Sequence, residues 1–346
     1  MSASTGFSLL GGLPTRTPDL AASIVFVTAY VLLVPLAVWR IAVRRTRIGV
    51  LIRPGIVLIL RIATYVIRAI ISDGKPSTEL FIAEQVLLLI GLIPLCEPLV
   101  SLTRYHVRRD WVPTPRQPEQ DKETTNIDRA LRLLRLVVLA AFILGATVSR
   151  LLRSVTAFKS TDTALPQVGG QAGSAYDDPS AAAALQPQRY ATYGLTLAVI
   201  VAGPLLATVV TATEALPRRP VLFLYACALC LAIPTIYKID LAVHPVSPVS
   251  RGAKAAFYLL NSLPEWICTT LYFAFDLDAL FDVNNGEWKH KVAKRMEDGK
   301  WEGPYMSKDA YRAASADRLP LEDGVYGGLP AYGAPRVEAT GADIKV

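Results

Sequence analysis

The sequence predicts an all-α polytopic membrane protein with seven transmembrane helices, its N-terminus outside and its C-terminus cytosolic. Three observations support this fold class. Hydrophobic residues make up 52% of the 346 residues and charged residues only 19%, which is too little charge to cover a soluble protein of this size. The apolar residues are gathered into runs of about 20, the length with which a helix crosses a bilayer. Basic residues are concentrated in alternate loops between these runs.

Seven apolar runs define the predicted spans. They are Leu20–Val43, Leu51–Ser72, Glu79–Thr103, Leu133–Leu152, Tyr190–Thr213, Pro220–Val243 and Ala255–Leu277. Lipid offers backbone N–H and C=O groups no hydrogen-bond partner, so runs of this length are expected to be helices. The short alternating segments of a transmembrane barrel are absent from the sequence. This composition excludes a soluble enzyme, a nucleic-acid-binding domain and a disordered chain.

The first span is expected to leave residues 1–19 outside the cell. Arg16 is the one basic residue before it, whereas arginines crowd its far end at Arg40, Arg44, Arg45, Arg47 and Arg53. A cleaved signal peptide carries its charge before the apolar region. We therefore expect this segment to stay in the membrane, with the first loop in the cytosol.

The second predicted cytosolic loop repeats this bias. Its basic residues are Arg104, Arg108, Arg109, Arg116, Lys122, Arg129, Arg132 and Arg135. The last three recur every third residue as the fourth helix begins, so they are expected to contact anionic lipid headgroups.

Two segments are predicted to lie outside the seven-helix transmembrane domain, residues 20–281. Residues 159–188 are rich in Ala, Gly, Gln, Pro and Ser, which predicts a flexible outer loop. Residues 282–346 are polar and of mixed charge, and predict a cytosolic tail that is largely disordered. Such a tail is also a candidate binding segment for a cytosolic partner.

Charged residues occur inside the predicted spans, where an unpaired charge costs roughly 2.5–3.5 kcal/mol on insertion scales. The second helix carries Arg61 and Arg68, seven residues apart and therefore on one face, with Tyr65 between them. The third helix carries Glu84 and Glu97. These groups predict a polar interior in the bundle.

The seventh helix carries an inward polar stripe. Its members recur at helical spacing and are Asn261, Glu265, Cys268, Tyr272 and Asp276. Arg61 and Glu265 lie at matching depths in their helices, as do Arg68 and Glu84, so we expect these two pairs. Two interpretations remain open, namely a structural ion pair that fixes helix register and a polar site that binds a ligand or relays protons.

Other polar residues in the spans have simpler interpretations. Lys238 and Asp240 lie near the predicted outer end of the sixth helix and are expected to extend towards the membrane surface. Prolines such as Pro94 and Pro264 each free a backbone carbonyl and predict a kink.

The sequence contains no pattern typical of an enzyme. The three histidines lie at or beyond helix ends, and no metal-ligand cluster, nucleophile elbow or phosphate loop is present. We therefore expect no catalysis, no metal and no cofactor, and no nucleic acid as a partner.

Several short motifs lie near the predicted helix ends. They are Gly11-Gly12-Leu13-Pro14-Thr15 and Pro18-Asp19 before the first helix, Ile82-Ala83-Glu84-Gln85 at the third, Tyr193-Gly194 at the fifth, Phe257-Tyr258-Leu259-Leu260-Asn261 with Glu265 at the seventh, and Asn285-Gly286 after it. Together with Arg61 and Arg68, these motifs resemble a fungal family of seven-helix membrane proteins described as a domain of unknown function. The resemblance extends over roughly Gly11–Gly286.

This resemblance implies a fungal membrane protein and no particular activity. The layout is similar, more distantly, to fungal lipid-translocating exporters. Three functions therefore stay open, namely a receptor or sensor, a translocator of lipids or small amphiphiles, and a structural membrane scaffold. The expected partners are the lipid bilayer and a small-molecule or lipid ligand, in the plasma membrane or another membrane of the secretory pathway.

The predicted orientation has a direct test. A tag after Val346 should be inaccessible to antibody on intact cells, and a tag beside Ser174 should be accessible, because the basic loops hold the C-terminus inside. Permeabilised cells, in which both tags must react, provide the control. The reverse labelling pattern would contradict the orientation.

Overall fold

The described part of the chain is helical. The computed structural model describes residues 10–43, 48–74, 77–107, 129–145, 147, 179–214, 216–244 and 250–283, and no strand occurs among them. All of them belong to one compact unit, Met1–Trp301. Most of the predicted outer loop and nearly all of the predicted tail lie outside the described residues.

The helices follow the apolar runs. In chain order they are α1 (Arg16–Ala42), α2 (Ile52–Ser72), α3 (Thr78–Ile90), α4 (Ile93–Val107), α5 (129–145), α6 (Pro179–Glu214), α7 (Arg218–Val243), α8 (Arg251–Ala256), α9 (Leu263–Ala274) and α10 (Leu277–Phe281). A π-helical segment, Phe257–Ser262, joins α8 to α9, and a 3₁₀ turn, Gly49–Leu51, precedes α2.

Five stretches among the described residues are long and apolar enough to cross a membrane. They are Arg16–Ala42, Gly49–Ser72, Glu79–Val107, Pro187–Thr213 and Arg218–Val243. These helices indicate an integral membrane protein. Two of the seven predicted spans are not among them, because residues 148–152 of the fourth lie outside the described part and the seventh is interrupted by the π-helical segment.

Large apolar side chains on the outer faces of the helices agree with a lipid environment. Leu32 on α1 is 72% exposed, Ile59 on α2 is 67% exposed and Leu222 on α7 is 69% exposed. In water such a surface would favour aggregation, whereas hydrocarbon covers it without cost. The helices therefore turn apolar side chains outward.

The interior contrasts with this surface. The largest side chains that are completely buried include Arg61, Arg68 and Lys238, together with Tyr30 and Tyr65. The membrane-facing surface is thus more apolar than parts of the core. The charged groups in the core need partners, because an unpaired charge there is unfavourable.

Two spans depart from a regular α-helix beside this polar interior. The third predicted span is interrupted at Gly91 and Leu92, and Pro94 stands in the first turn of α4. Pro264 likewise opens α9, directly after the π-helical segment. Proline has no N–H to bond the preceding turn, which accounts for the irregular turn ahead of each of these two prolines. Helices continue through the interior prolines Pro35, Pro98, Pro187, Pro204 and Pro234.

The outer segment predicted over residues 159–188 differs from the structure at its C-terminal end. Helix α6 begins at Pro179, so residues 179–188 are helical and extend the fifth span. Four consecutive alanines, Ala181–Ala184, lie in this extension, and alanine has the highest helix propensity of any residue type. Residues 159–178 lie outside the described residues.

Candidate functional site

Arg61, Lys238 and Glu265 form a buried ionic group, here called the central cluster. The Nη2 atom of Arg61 lies 2.5 Å from Glu265 Oε2, and Lys238 Nζ lies 3.4 Å from Glu265 Oε1. All three side chains are completely buried. The pairing of Arg61 with Glu265 expected from helix depth is therefore confirmed.

Lys238 corrects an expectation. The sequence placed it near the end of α7 with its ammonium group at the membrane surface, which is wrong. The side chain turns into the bundle instead, because Glu265 and the carbonyl oxygen of Leu88 offer it partners there. Asp240, two residues further on, is 66% exposed and accepts from His244 at 3.0 Å.

The break between α3 and α4 positions both cations. Arg61 Nη1 donates to the Leu87 carbonyl oxygen at 3.4 Å, and Lys238 Nζ donates to the Leu88 carbonyl oxygen at 3.5 Å. Carbonyls at a helix C-terminus carry the negative end of the helix dipole, equivalent to about half a charge. A helix ending inside the bundle therefore contributes to binding two cations.

Gly91 lies at this break because the guanidinium of Arg61 occupies the space of a side chain. A Cβ atom on Gly91 would stand 2.7 Å from Arg61 Cζ, well inside van der Waals contact. Glycine is thus required here by close packing against a buried cation.

Neutral polar groups beside the central cluster lack partners. Among the described residues, Asn261 makes no hydrogen bond with either amide atom, and the Tyr30 hydroxyl makes none. Tyr30 lies within electrostatic range of Arg61 and Glu265. Asn261 precedes Glu265 by four residues along a helical chain, which puts both side chains on one face.

Arg68 organises a second buried group, here called the N-terminal cluster. Its guanidinium pairs with Glu84, as expected, and also with Asp19 Oδ1 at 3.0 Å. Lys254 Nζ reaches Asp19 Oδ2 at 2.6 Å, and Arg68 Nε donates to the Tyr258 hydroxyl at 2.9 Å. Two cations and two carboxylates leave this cluster neutral.

The segment before α1 closes over the N-terminal cluster. Arg68 Nη2 donates to the Gly11 carbonyl oxygen at 2.6 Å, and the Gln85 amide donates to the Leu10 carbonyl oxygen at 3.2 Å. Gly11 has φ +79°, in the region that favours glycine, and a Cβ there would stand 2.9 Å from Arg68 Nη1. This segment was expected only as an extracellular terminus, and its packing role was not predicted.

Stacked aromatic rings join the two clusters. Tyr65 stacks on Tyr30 at 5.9 Å and on Phe26 at 5.2 Å between ring centroids, and Phe26 stacks on Tyr258 at 5.7 Å. Arg61 and Arg68 are seven residues apart on α2, a rise of roughly 10 Å. Because Tyr65 lies between them on α2 and Tyr258 belongs to the N-terminal cluster, the stacked rings run from one cluster towards the other.

The remaining predicted site residues lie apart from these clusters. Glu97 pairs with Arg53 and accepts from Ser101 at 3.0 Å. The Tyr272 hydroxyl donates to the Leu95 carbonyl oxygen at 3.2 Å. Asp276, the last member of the predicted stripe, is 55% exposed and caps α10 by accepting from the Ala279 backbone N–H.

The three arginines at the start of α5 are exposed. Arg129, Arg132 and Arg135 all lie on the surface, and Arg135 Nη2 also donates to Ser101 Oγ at 3.4 Å. Their contact with anionic lipid headgroups stays a prediction.

Comparison with known proteins does not add a function. No protein-family model matches this chain, and no curated protein and no solved structure matches it either. Within the described residues, no group of three or more His, Cys, Asp or Glu side chains is placed to hold a metal ion. The central cluster and the N-terminal cluster are therefore the features from which a function can be inferred.

The closing of the N-terminal segment on Arg68 has a matched test. Gly11→Ala and Gly74→Ala both introduce a side chain at positive φ, but only the first meets Arg68, since Gly74 has open space around it. We expect Gly11→Ala to lose about 1–3 kcal/mol more stability than Gly74→Ala, the range for overpacking. Thermal unfolding in detergent measures both losses. Equal losses would contradict the packing of Gly11 against Arg68.

Proposed function

We propose that this protein is a receptor- or sensor-like integral membrane protein whose ligand site is the central cluster. The observation that carries the proposal is a polar, ion-paired group held completely inside an apolar bundle, next to two interrupted helices. A purely structural helical bundle would be equally stable with an apolar core, because a buried ion pair adds little net stability to a fold.

The proposal includes seven spans with the N-terminus outside. Helix α5 would form the fourth span, and the continuous run Arg251–Ala274, which contains α8, the π-helical segment and α9, would form the seventh. The basic loops favour this orientation. The N-terminal segment would then close the outer end of the bundle and α5 would present Arg129, Arg132 and Arg135 to cytosolic anionic lipid.

The closed geometry supports a receptor over an exporter. A translocator's polar groups line a path that opens to one side or to lipid, whereas Arg61, Lys238 and Glu265 are all fully enclosed. At one end of the bundle the N-terminal segment packs over Arg68 and Gln85. A binding pocket inside a closed bundle matches this arrangement.

A translocator of lipids or small amphiphiles is the second candidate, and one observation favours it. Transporters typically bind their substrate where interrupted helices meet near the middle of the membrane. Here the break at Gly91 and the π-helical segment before Pro264 both lie beside the central cluster. A structural scaffold is the third candidate.

Accessibility of Cys268 distinguishes these candidates. Cys268 is completely buried three residues after Glu265. In a variant with Cys96, Cys227 and Cys230 replaced by alanine, it is the one remaining thiol. We expect a charged, membrane-impermeant methanethiosulfonate reagent to react with it on the order of 100-fold more slowly than with the control Asp240→Cys in a cysteine-free chain, because opening the bundle costs a few kcal/mol.

The rate at which Cys268 reacts in proteoliposomes distinguishes the receptor, the translocator and the scaffold. A receptor reacts slowly, and its rate changes when ligand binds. Rapid reaction of Cys268 from one aqueous side would contradict the receptor and favour the translocator. A slow rate that no ligand changes would favour the scaffold.

A further inference from the structure

Charge is not balanced in the central cluster. Arg61 and Lys238 bring two positive charges, and Glu265 brings one negative charge. The N-terminal cluster, by contrast, has two of each. An uncompensated charge in a low-dielectric interior is strongly unfavourable, and the end of α3 supplies only a partial negative charge.

Hydrogen-bond donors are also in excess around the central cluster. Arginine and lysine together carry eight N–H donors and no acceptor. The acceptors that meet them among the described residues are the Glu265 carboxylate and the carbonyl oxygens of Leu87 and Leu88. The Nε atom of Arg61 and both amide atoms of Asn261 have no hydrogen-bond partner in the described part of the chain.

We propose that the central cluster binds an oxyanion, the carboxylate or phosphate group of a ligand, between Arg61, Lys238 and Asn261. One negative charge would neutralise the cluster, and its oxygen atoms would accept from the unsatisfied N–H groups. This proposal rests on the proposed function and names the ligand class for the same site. A guanidinium fork and an ammonium group together are the donors typical of carboxylate and phosphate recognition.

The surroundings also fit a ligand with an apolar body. The rings of Phe26, Tyr30 and Tyr65 stack on one another, and Tyr65 lies between Arg61 and Arg68 on α2. A lipid headgroup and a free anion share the oxyanion chemistry, and the experiment separates these two sources.

Thermal unfolding in nanodiscs tests the proposal. The probes are phosphatidic acid in a phosphatidylcholine bilayer, and inorganic phosphate or acetate added to phosphatidylcholine alone. At tenfold excess over its Kd, a bound anion should raise the unfolding midpoint by about 2–4 °C. A rise with phosphatidic acid alone identifies a lipid headgroup, and a rise with phosphate or acetate identifies a free anion.

Two variants show whether the effect belongs to this site. Lys238→Met removes the excess positive charge and should abolish the rise, which also controls for the general stabilisation that phosphate gives by exclusion from protein surfaces. Asn261→Asp places a carboxylate in the proposed site. It should raise the midpoint without any anion and remove the response to added anion, whereas a buried carboxylate in a balanced site lowers the midpoint.

Failure of the oxyanion site and failure of the receptor function give different experimental results. Equal rises in the wild type and Lys238→Met, no rise in the wild type, or a lowered midpoint for Asn261→Asp would each overturn the oxyanion site. If anion raises the midpoint but leaves the reaction rate of Cys268 unchanged, the oxyanion site stands and the receptor function fails. If a different ligand changes that rate and no anion does, the receptor function stands and the oxyanion site fails.

Discussion

Arg61 carries a positive charge inside an apolar bundle, and removing such a charge from water costs several kcal/mol unless a partner compensates it. This constraint determines much of the surrounding structure. Glu265 must lie at the same depth, α9 must face α2, and α3 must end where its carbonyl oxygens reach the cations. Gly91 then has to be glycine, because the guanidinium fills the space beside it.

The same constraint explains the two interrupted helices. The Leu87 carbonyl oxygen still accepts from the Gly91 N–H. A continuous third helix would also bond the carbonyl oxygen of Leu88 and leave less negative potential for Lys238. At the other side, the π-helical segment before Pro264 widens one turn directly ahead of Glu265. Single π turns occur frequently at functional sites, and this one contains Asn261, whose amide has no hydrogen-bond partner among the described residues.

The sequence was sufficient to predict an all-helical fold, the five long apolar helices and the two main ion pairs. Hydrophobic run length identifies spans, and counting from helix ends estimates depth, so Arg61 with Glu265 and Arg68 with Glu84 could be paired. Lys238 could not be assigned in this way, because its distance from the helix end allows either direction. Its direction depends on which neighbouring helix offers a carboxylate, and this depends on the tertiary fold.

The role of the N-terminal segment was also not predictable from periodicity. Leu10 and Gly11 act through backbone carbonyl oxygens, which every residue has, so no residue type marks the contact. Asp19 and Lys254 stood at span ends, where charge is normal. A signal was present in Gly11-Gly12, because adjacent glycines before a helix indicate unusual backbone conformation or close packing.

A double-mutant cycle on Arg61 and Glu265 measures how strongly the two buried side chains depend on each other. Glu265→Gln leaves two buried cations and should lose about 3–5 kcal/mol of stability in detergent. Arg61→Gln leaves Lys238 paired with Glu265 and should lose less stability. The double variant should be more stable than Glu265→Gln alone, because it has one buried cation fewer.

The pair Arg53 and Glu97, in which the Arg53 side chain is 46% exposed, is the control, with an expected coupling of about 1 kcal/mol. The account predicts a clearly larger coupling for Arg61 with Glu265, and the largest single loss for Glu265→Gln. Strictly additive losses, or a coupling no larger than that of Arg53 with Glu97, would contradict it.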